Sequence, residues 1–171
     1  HDSLIEKKSD FQLETRFGPF RLRTFQQTTN KQIHLALTKG SWKEDEPVLT
    51  RINSLRITND ILSMLTGQIT KGLDDIFSLI DHAEKGAVIF INQQQSSQNL
   101  LSRIEKLEGM QQKGELDKAP PIAMDSRDFG IGAQILHDLK IKKLNLISNS
   151  NKMPRVGITG YGLEIIKYVK Y

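Results

Sequence analysis

The chain predicts a single α+β or mixed α/β domain, and three patterns carry that expectation. Apolar residues alternate with period two through much of the first fifty positions, as in half-buried strands. From Leu62 to Ile80 they recur every three or four residues, as on one face of a helix. The unbroken apolar run Ala87-Val-Ile-Phe-Ile91 then reads as a strand buried on both faces. At 171 residues the chain is long enough to bury a core of its own.

In chain order, residues 1–10 are polar and charged and are expected to form an interdomain linker or a peripheral helix turn, with the domain proper at 11–171. Phe11–Phe17 and Phe20–Phe25 alternate around a Gly18-Pro19 turn, and Ile33–Leu37 and Pro47–Ile52 follow with the same period. Together they predict antiparallel strands in the N-terminal half, a meander with helices packed on its sheet. Thr58-Asn59-Asp60 offers the N-cap of the long helical stretch. Gly67 and Gly72 weaken its start, so a firm helix is expected from about Lys71, stopping at Gly86. Ser97–Gln112 and Gly132–Lys140 read as helices, Gly114–Pro121 as a loop, and Leu144–Ile147 as a strand. Gly162–Val169 fits either a final strand or a helix.

Lysine and arginine number 24 against 20 acids, a net +4. The charges are dispersed and few aromatics interleave with them, so a solvated surface is the reading and a nucleic-acid interface is not. No apolar run is long enough to span a bilayer, and no membrane partner is expected. The absence of cysteine excludes disulfides and thiolate metal sites, and fits a cytoplasmic protein.

Four segments point further: Thr15-Arg-Phe-Gly-Pro-Phe20, Arg51-Ile-Asn-Ser-Leu-Arg-Ile-Thr-Asn-Asp60, Asp125-Ser-Arg-Asp-Phe-Gly-Ile-Gly132 and Gly160-Tyr-Gly-Leu-Glu-Ile165. From about Glu14 to Val169 the chain resembles GTP cyclohydrolase II, the zinc enzyme that opens the guanine ring at the start of riboflavin synthesis. The resemblance implies that Arg51, Ser54 and Ser148 descend from substrate-binding positions. It also implies that Asp125 descends from the family's proton-accepting catalytic aspartate and Arg127 from its nucleophilic or phosphate-contacting arginine; the two could equally pair with each other or a neighbouring strand.

The likeness breaks where the family's chemistry sits. The positions of its three zinc cysteines hold Arg56, Gly67 and Ile69, and its neighbouring histidine is Asn53. Glycine and isoleucine bring no donor, and a permanent guanidinium repels a cation, so no zinc is expected. His1, His34, His82 and His137 show no ligand spacing and read as surface or core residues. The family's glycine- and arginine-rich phosphate loop is here Asn92-Gln-Gln-Gln-Ser-Ser-Gln-Asn-Leu100, matching only at Gln93 and Leu100. Its ligand-binding lysine is replaced by Met153.

The resemblance therefore implies a degenerate cyclohydrolase domain that does not hydrolyse GTP and serves a structural or regulatory role. Its implied partners are a second copy, as a homodimer, and a dihydroxybutanone-phosphate synthase domain, whose junction with the cyclohydrolase domain looks like His1–Glu6. GTP or another nucleotide would bind only weakly. The alternative is an active nucleotide hydrolase with an altered, zinc-independent site at Arg51, Asp125, Arg127 and Ser148.

Overall fold

A computed structural model describes residues 3–55, 71–92, 126–149 and 160–171, with Glu105, Glu108, Gly109, Gln112 and Lys113 between them. Seven strands form one sheet: β1 (Ile5–Thr15), β2 (Gly18–Gln27), β3 (Ile33–Lys39), β4 (Pro47–Leu55), β5 (Gly86–Asn92), β6 (Lys143–Ile147) and β7 (Glu164–Val169). Two described helices, α1 (Lys71–Ala83) and α2 (Ser126–Asp138), cover it.

The strand order is β1-β2-β3-β5-β4-β6-β7. The first three strands are the expected antiparallel meander, and β3 is antiparallel to β5. The expectation fails at β4, which is parallel to both β5 and β6, with β7 parallel to β6 in turn. The strands are thus antiparallel on one side of the sheet and parallel on the other. Alternation in β4 reports two faces of unequal burial but carries no information about direction. Direction follows from the connection: a segment containing α1 links β4 to β5, and only a crossover of this kind returns a strand parallel.

The polar opening, expected as linker or helix turn, is strand from Ile5 onward, because pairing with β2 satisfies its backbone while both faces remain largely exposed. The first turn also moves. Arg16-Phe17 make the turn, and Gly18 takes φ 89 at the start of β2. Thr15 Oγ1 accepts from Phe17 N–H at 3.1 Å and donates to Gly18 O at 2.7 Å. The last element is a strand, β7.

Two cores flank the sheet. On one face Ala87, Ile89 and Ile91 of β5 meet Ile131, Ile135 and Leu136 of α2. On the other, Val88 and Phe90 meet Ile76, Phe77 and Ile80 of α1. The central run is buried on both sides, as its composition required. α1 begins at Lys71 as expected but ends before Gly86, with Glu84 turning the chain at φ 62. α2 starts at Ser126, ahead of the expected Gly132, so Phe129–Gly132 lie inside it. It closes on Lys140 at φ 60, with Ile141 N–H on Leu136 O at 2.9 Å and Lys140 N–H on His137 O at 3.0 Å. Glu105, Glu108, Gly109 and Gln112 are helical; the rest of the expected 97–112 helix, and Leu62, Leu65 and Ile69 of the long stripe, lie outside the described residues. Among the described residues no helix is long and apolar enough to cross a membrane.

Candidate functional site at the carboxyl ends of the parallel strands

The parallel half has the spatial order β5-β4-β6-β7. The chain leaves β4 towards β5 on one side and leaves β6 towards β7 on the other. Connections departing in opposite directions from adjacent strands leave a crevice beyond their carboxyl ends, the usual ligand position in such sheets. Ser148 just past β6 stands at this end, with Arg51, midway along β4 and beside the last residue of β6, and Asn53 further along β4 leading towards it.

Arg51 is half-buried and held from three directions. Its Nε donates to Asn53 Oδ1 at 2.8 Å, and its Nη1 donates to the carbonyl of Ile147 at 3.1 Å. The Tyr171 ring covers the guanidinium at 5.1 Å. Asn53, which the resemblance sets at the family's histidine position, uses its oxygen for Arg51, while its buried Nδ2 has no hydrogen-bond partner among the described residues. Ser148 is half-buried, and its backbone N–H donates to Val169 O at 2.8 Å. The contact of Arg51 with Ile147 O therefore brings two of the resemblance-derived positions, Arg51 and Ser148, to one edge of the sheet.

Other expected site residues are placed only in part. Ser54 lies on β4 and Arg127 in the first turn of α2, but their side chains are outside the described residues. Asp125, Arg56, Gly67 and Ile69 lie outside them entirely, as do Gln93–Leu100 and Met153.

Two arrangements were not foreseen from sequence. Asn149 clasps Tyr171 through both amide atoms: Nδ2 donates to Tyr171 O at 3.1 Å, and Oδ1 accepts Tyr171 N–H at 2.9 Å. His34, fully buried, bridges Gln27 Oε1 and the backbone N–H of Asn92, each at 2.9 Å. Burial lowers its pKa to about 4. Neither left a sequence signal, because an isolated asparagine or histidine has no period.

The residues present do not fit the family's zinc. The positions that the resemblance assigns to the donors hold Arg56, Gly67 and Ile69, and the chain has no cysteine. Among the described residues no three His, Asp or Glu side chains converge. Both ring nitrogens of His34, on β3 beside the end of β5, already have protein partners. Zinc needs several free lone-pair donors in a tetrahedral set.

Comparison with known proteins agrees with this architecture. The chain is 36% identical over 173 residues to riboflavin biosynthesis protein RibBA of Cytophaga hutchinsonii, covering 99% of this chain and 42% of that protein. It is 32% identical to RibBA of Aquifex aeolicus, covering 98% and 42% respectively. The chain thus spans about two-fifths of the length of these curated relatives. Among solved structures it is similar to RibBX of A. baumannii, described as a two-domain 3,4-dihydroxy-2-butanone 4-phosphate synthase. The TM-score is 0.59 at 21% identity, over 98% of this chain and 41% of that one. The GTP cyclohydrolase II profile matches residues 6–170, and the chain belongs to the GTP cyclohydrolase II family.

Proposed function

We propose that this chain is the cyclohydrolase-fold part of a riboflavin-biosynthesis protein, does not itself open GTP, and acts as a structural or regulatory domain beside a dihydroxybutanone-phosphate synthase domain. One observation carries the reading: Arg51 is fixed on Ile147 O at the end of β6, while the positions that the resemblance assigns to the zinc donors carry arginine, glycine and isoleucine. Zinc in such a site acidifies a bound water; without donors that route to a nucleophile at neutral pH is lost. The replaced phosphate loop, Asn92–Leu100, supports the same reading, since it lacks the glycines that admit backbone amides to a ligand.

The partner domain is inferred from the relatives. They are more than twice as long as the matched segment, and the similar RibBX is described as a two-domain synthase. A homodimer is the proposed assembly, by likeness alone. Vestigial roles for Asp125 and Arg127, and weak nucleotide contact through Arg51, Ser54 and Ser148, belong to the same proposal.

The test is GTP turnover with zinc supplied, read as formate and pyrophosphate, on the full-length protein. No GTP-dependent formate is expected, while deletion of residues 11–171 should alter the activity or assembly state of the synthase. Formate release above a no-enzyme control would overturn the reading. A second reading, a zinc-independent nucleotide hydrolase, is favoured by the unpaired Asn53 Nδ2 beside Arg51, a donor that a ligand oxygen could fill. It predicts that some nucleotide in a panel raises the melting temperature, since a ligand of the native state stabilises it.

A further inference from the structure

We infer that Tyr171 is a strap closed over the crevice, and that its ring competes with an anionic ligand for Arg51. The inference rests on the proposed reading of Arg51 as an inherited ligand-binding residue and concerns how that residue is now controlled.

Three features locate the strap. First, the backbone beyond the strands is zipped. Ser148 N–H donates to Val169 O at 2.8 Å, extending the β6–β7 pairing past Ile147. Second, Asn149, the next residue on one side, holds Tyr171, two residues further on the other, by a two-bond amide clasp. An asparagine side chain presenting both donor and acceptor to one residue's backbone mimics a further rung of sheet. Third, the clasp delivers the Tyr171 ring to the face of the Arg51 guanidinium. The ring packs over the face of the sheet covered by α1, with its Cε2 3.7 Å from the place a Cβ on Gly72 would occupy.

The position, not the contact alone, makes this a closure. Arg51 lies midway along β4 but reaches Ile147, the last residue of β6, so among the described residues of β4 and β6 its guanidinium is the cation towards the end where connections diverge. An aromatic face over guanidinium satisfies it electrostatically without neutralising its charge. A phosphate-type anion would offer a stronger, charge-assisted fork, and Tyr171 would have to swing away to admit it. Asn53 Nδ2, buried next to Arg51 without an acceptor among the described residues, is a second donor that such an anion could satisfy. The anchor of Tyr171 consists of exposed side-chain–backbone bonds, the kind that open locally at low cost.

The experiment is phenylglyoxal labelling of the intact protein, with the rate at Arg51 read by peptide mass spectrometry against exposed Arg21. Variants are Asn149→Ala, Tyr171→Ala, Tyr171→Leu and Tyr171→Phe. In the parent, Arg51 should be protected. Removing the clasp or the ring should speed its labelling by about tenfold, whereas Tyr171→Phe keeps the ring and stays protected. Inorganic pyrophosphate should slow Arg51 labelling in Tyr171→Ala and leave the parent unchanged. If Tyr171→Ala loses its native circular dichroism, Tyr171→Leu and Asn149→Ala decide. Labelling of parental Arg51 at the rate of Arg21, or equal protection in folded variants, overturns the strap. Faster labelling without pyrophosphate protection overturns the competition with an anion. None of these readouts uses GTP turnover, so failure here is distinct from failure of the proposed function.

Discussion

The backbone N–H of Asn92 donates to Nδ1 of His34 at 2.9 Å, tying the last residue of β5 to the start of β3. A backbone N–H can only donate, so Nδ1 carries no proton and Nε2 holds it, facing Gln27 Oε1 at 2.9 Å. Asn92 is further held by its own Nδ2 on Gln32 Oε1 at 2.8 Å. The neutral imidazole thus pins the root of the segment that the resemblance sets against the family's phosphate loop.

This network makes stability depend on acid in a defined window. Burial lowers His34 to about 4, against an unfolded value near 6.5. Between these values the unfolded chain takes up a proton that the native state refuses, so stability falls as pH drops from ~6.5 to ~4, by about 3 kcal/mol in full. Asp10, Glu44 and Glu46 are held low by Arg21, Lys142 and Lys85 respectively and lose their contributions at lower pH still. Urea midpoints at pH 7 and pH 4.5 for the parent and His34→Gln separate the two. The parent should lose more stability than the variant on acidification; equal losses would remove His34 from the account.

Phe77 is the second test. It is fully buried on α1, stacked on Phe17 at 5.5 Å and met edge-on by Phe20 at 5.4 Å. These rings join α1 to the β1–β2 hairpin, so one side chain couples the helix after β4 to the meander. Phe77→Ala should cost about 3–5 kcal/mol, through lost burial and the cavity left behind. Phe77→Leu keeps most of the volume and should cost under ~2 kcal/mol. Denaturant midpoints with unchanged slopes would measure both.

The two halves of the sheet were not equally legible. Phe20, Leu22, Val88 and Phe90 declare their faces by spacing, and Ala87–Ile91 declares burial on both sides, so elements and core follow from periodicity. The direction of β4 does not, because parallel and antiparallel strands share period two. At the site, Arg51 and Ser148 were reachable through motif likeness, and the structure brings them to one edge. The roles of Asn149 and Tyr171 depend on residues 22 apart meeting beyond two strand ends, which no local pattern encodes. His34 was read as surface or core; its bridging of Gln27 and Asn92 needed the register of β2, β3 and β5.

Metal content gives a third test that does not involve turnover. Arginine, glycine and isoleucine at the aligned donor positions, in a chain without cysteine, should leave purified protein with far less than one zinc per chain. Added zinc should leave the melting temperature unchanged, because an ion without a native site cannot shift the folding equilibrium. Stoichiometric zinc surviving dialysis against a chelator would show a donor set other than the aligned one.

The last prediction pairs two substitutions of opposite sign where the chain turns from α1 into β5. Gly40 sits at φ 78, and a Cβ there would lie 2.4 Å from the backbone oxygen of Glu84, which cannot move without shifting the helix end. Gly40→Ala should therefore destabilise by about 2–4 kcal/mol, combining left-handed strain with a backbone clash. Glu84 itself takes φ 62, a conformation that costs an L residue about 1–2 kcal/mol and glycine nothing. Its side chain is exposed, so Glu84→Gly removes strain with little packing loss, offset by roughly 0.5–1 kcal/mol of extra unfolded-state freedom. The net gain should be about 0.5 kcal/mol, a rise of ~1–2 °C in the thermal midpoint. A fall in midpoint for Glu84→Gly would mean that its carboxylate contributes a contact worth more than the relieved strain.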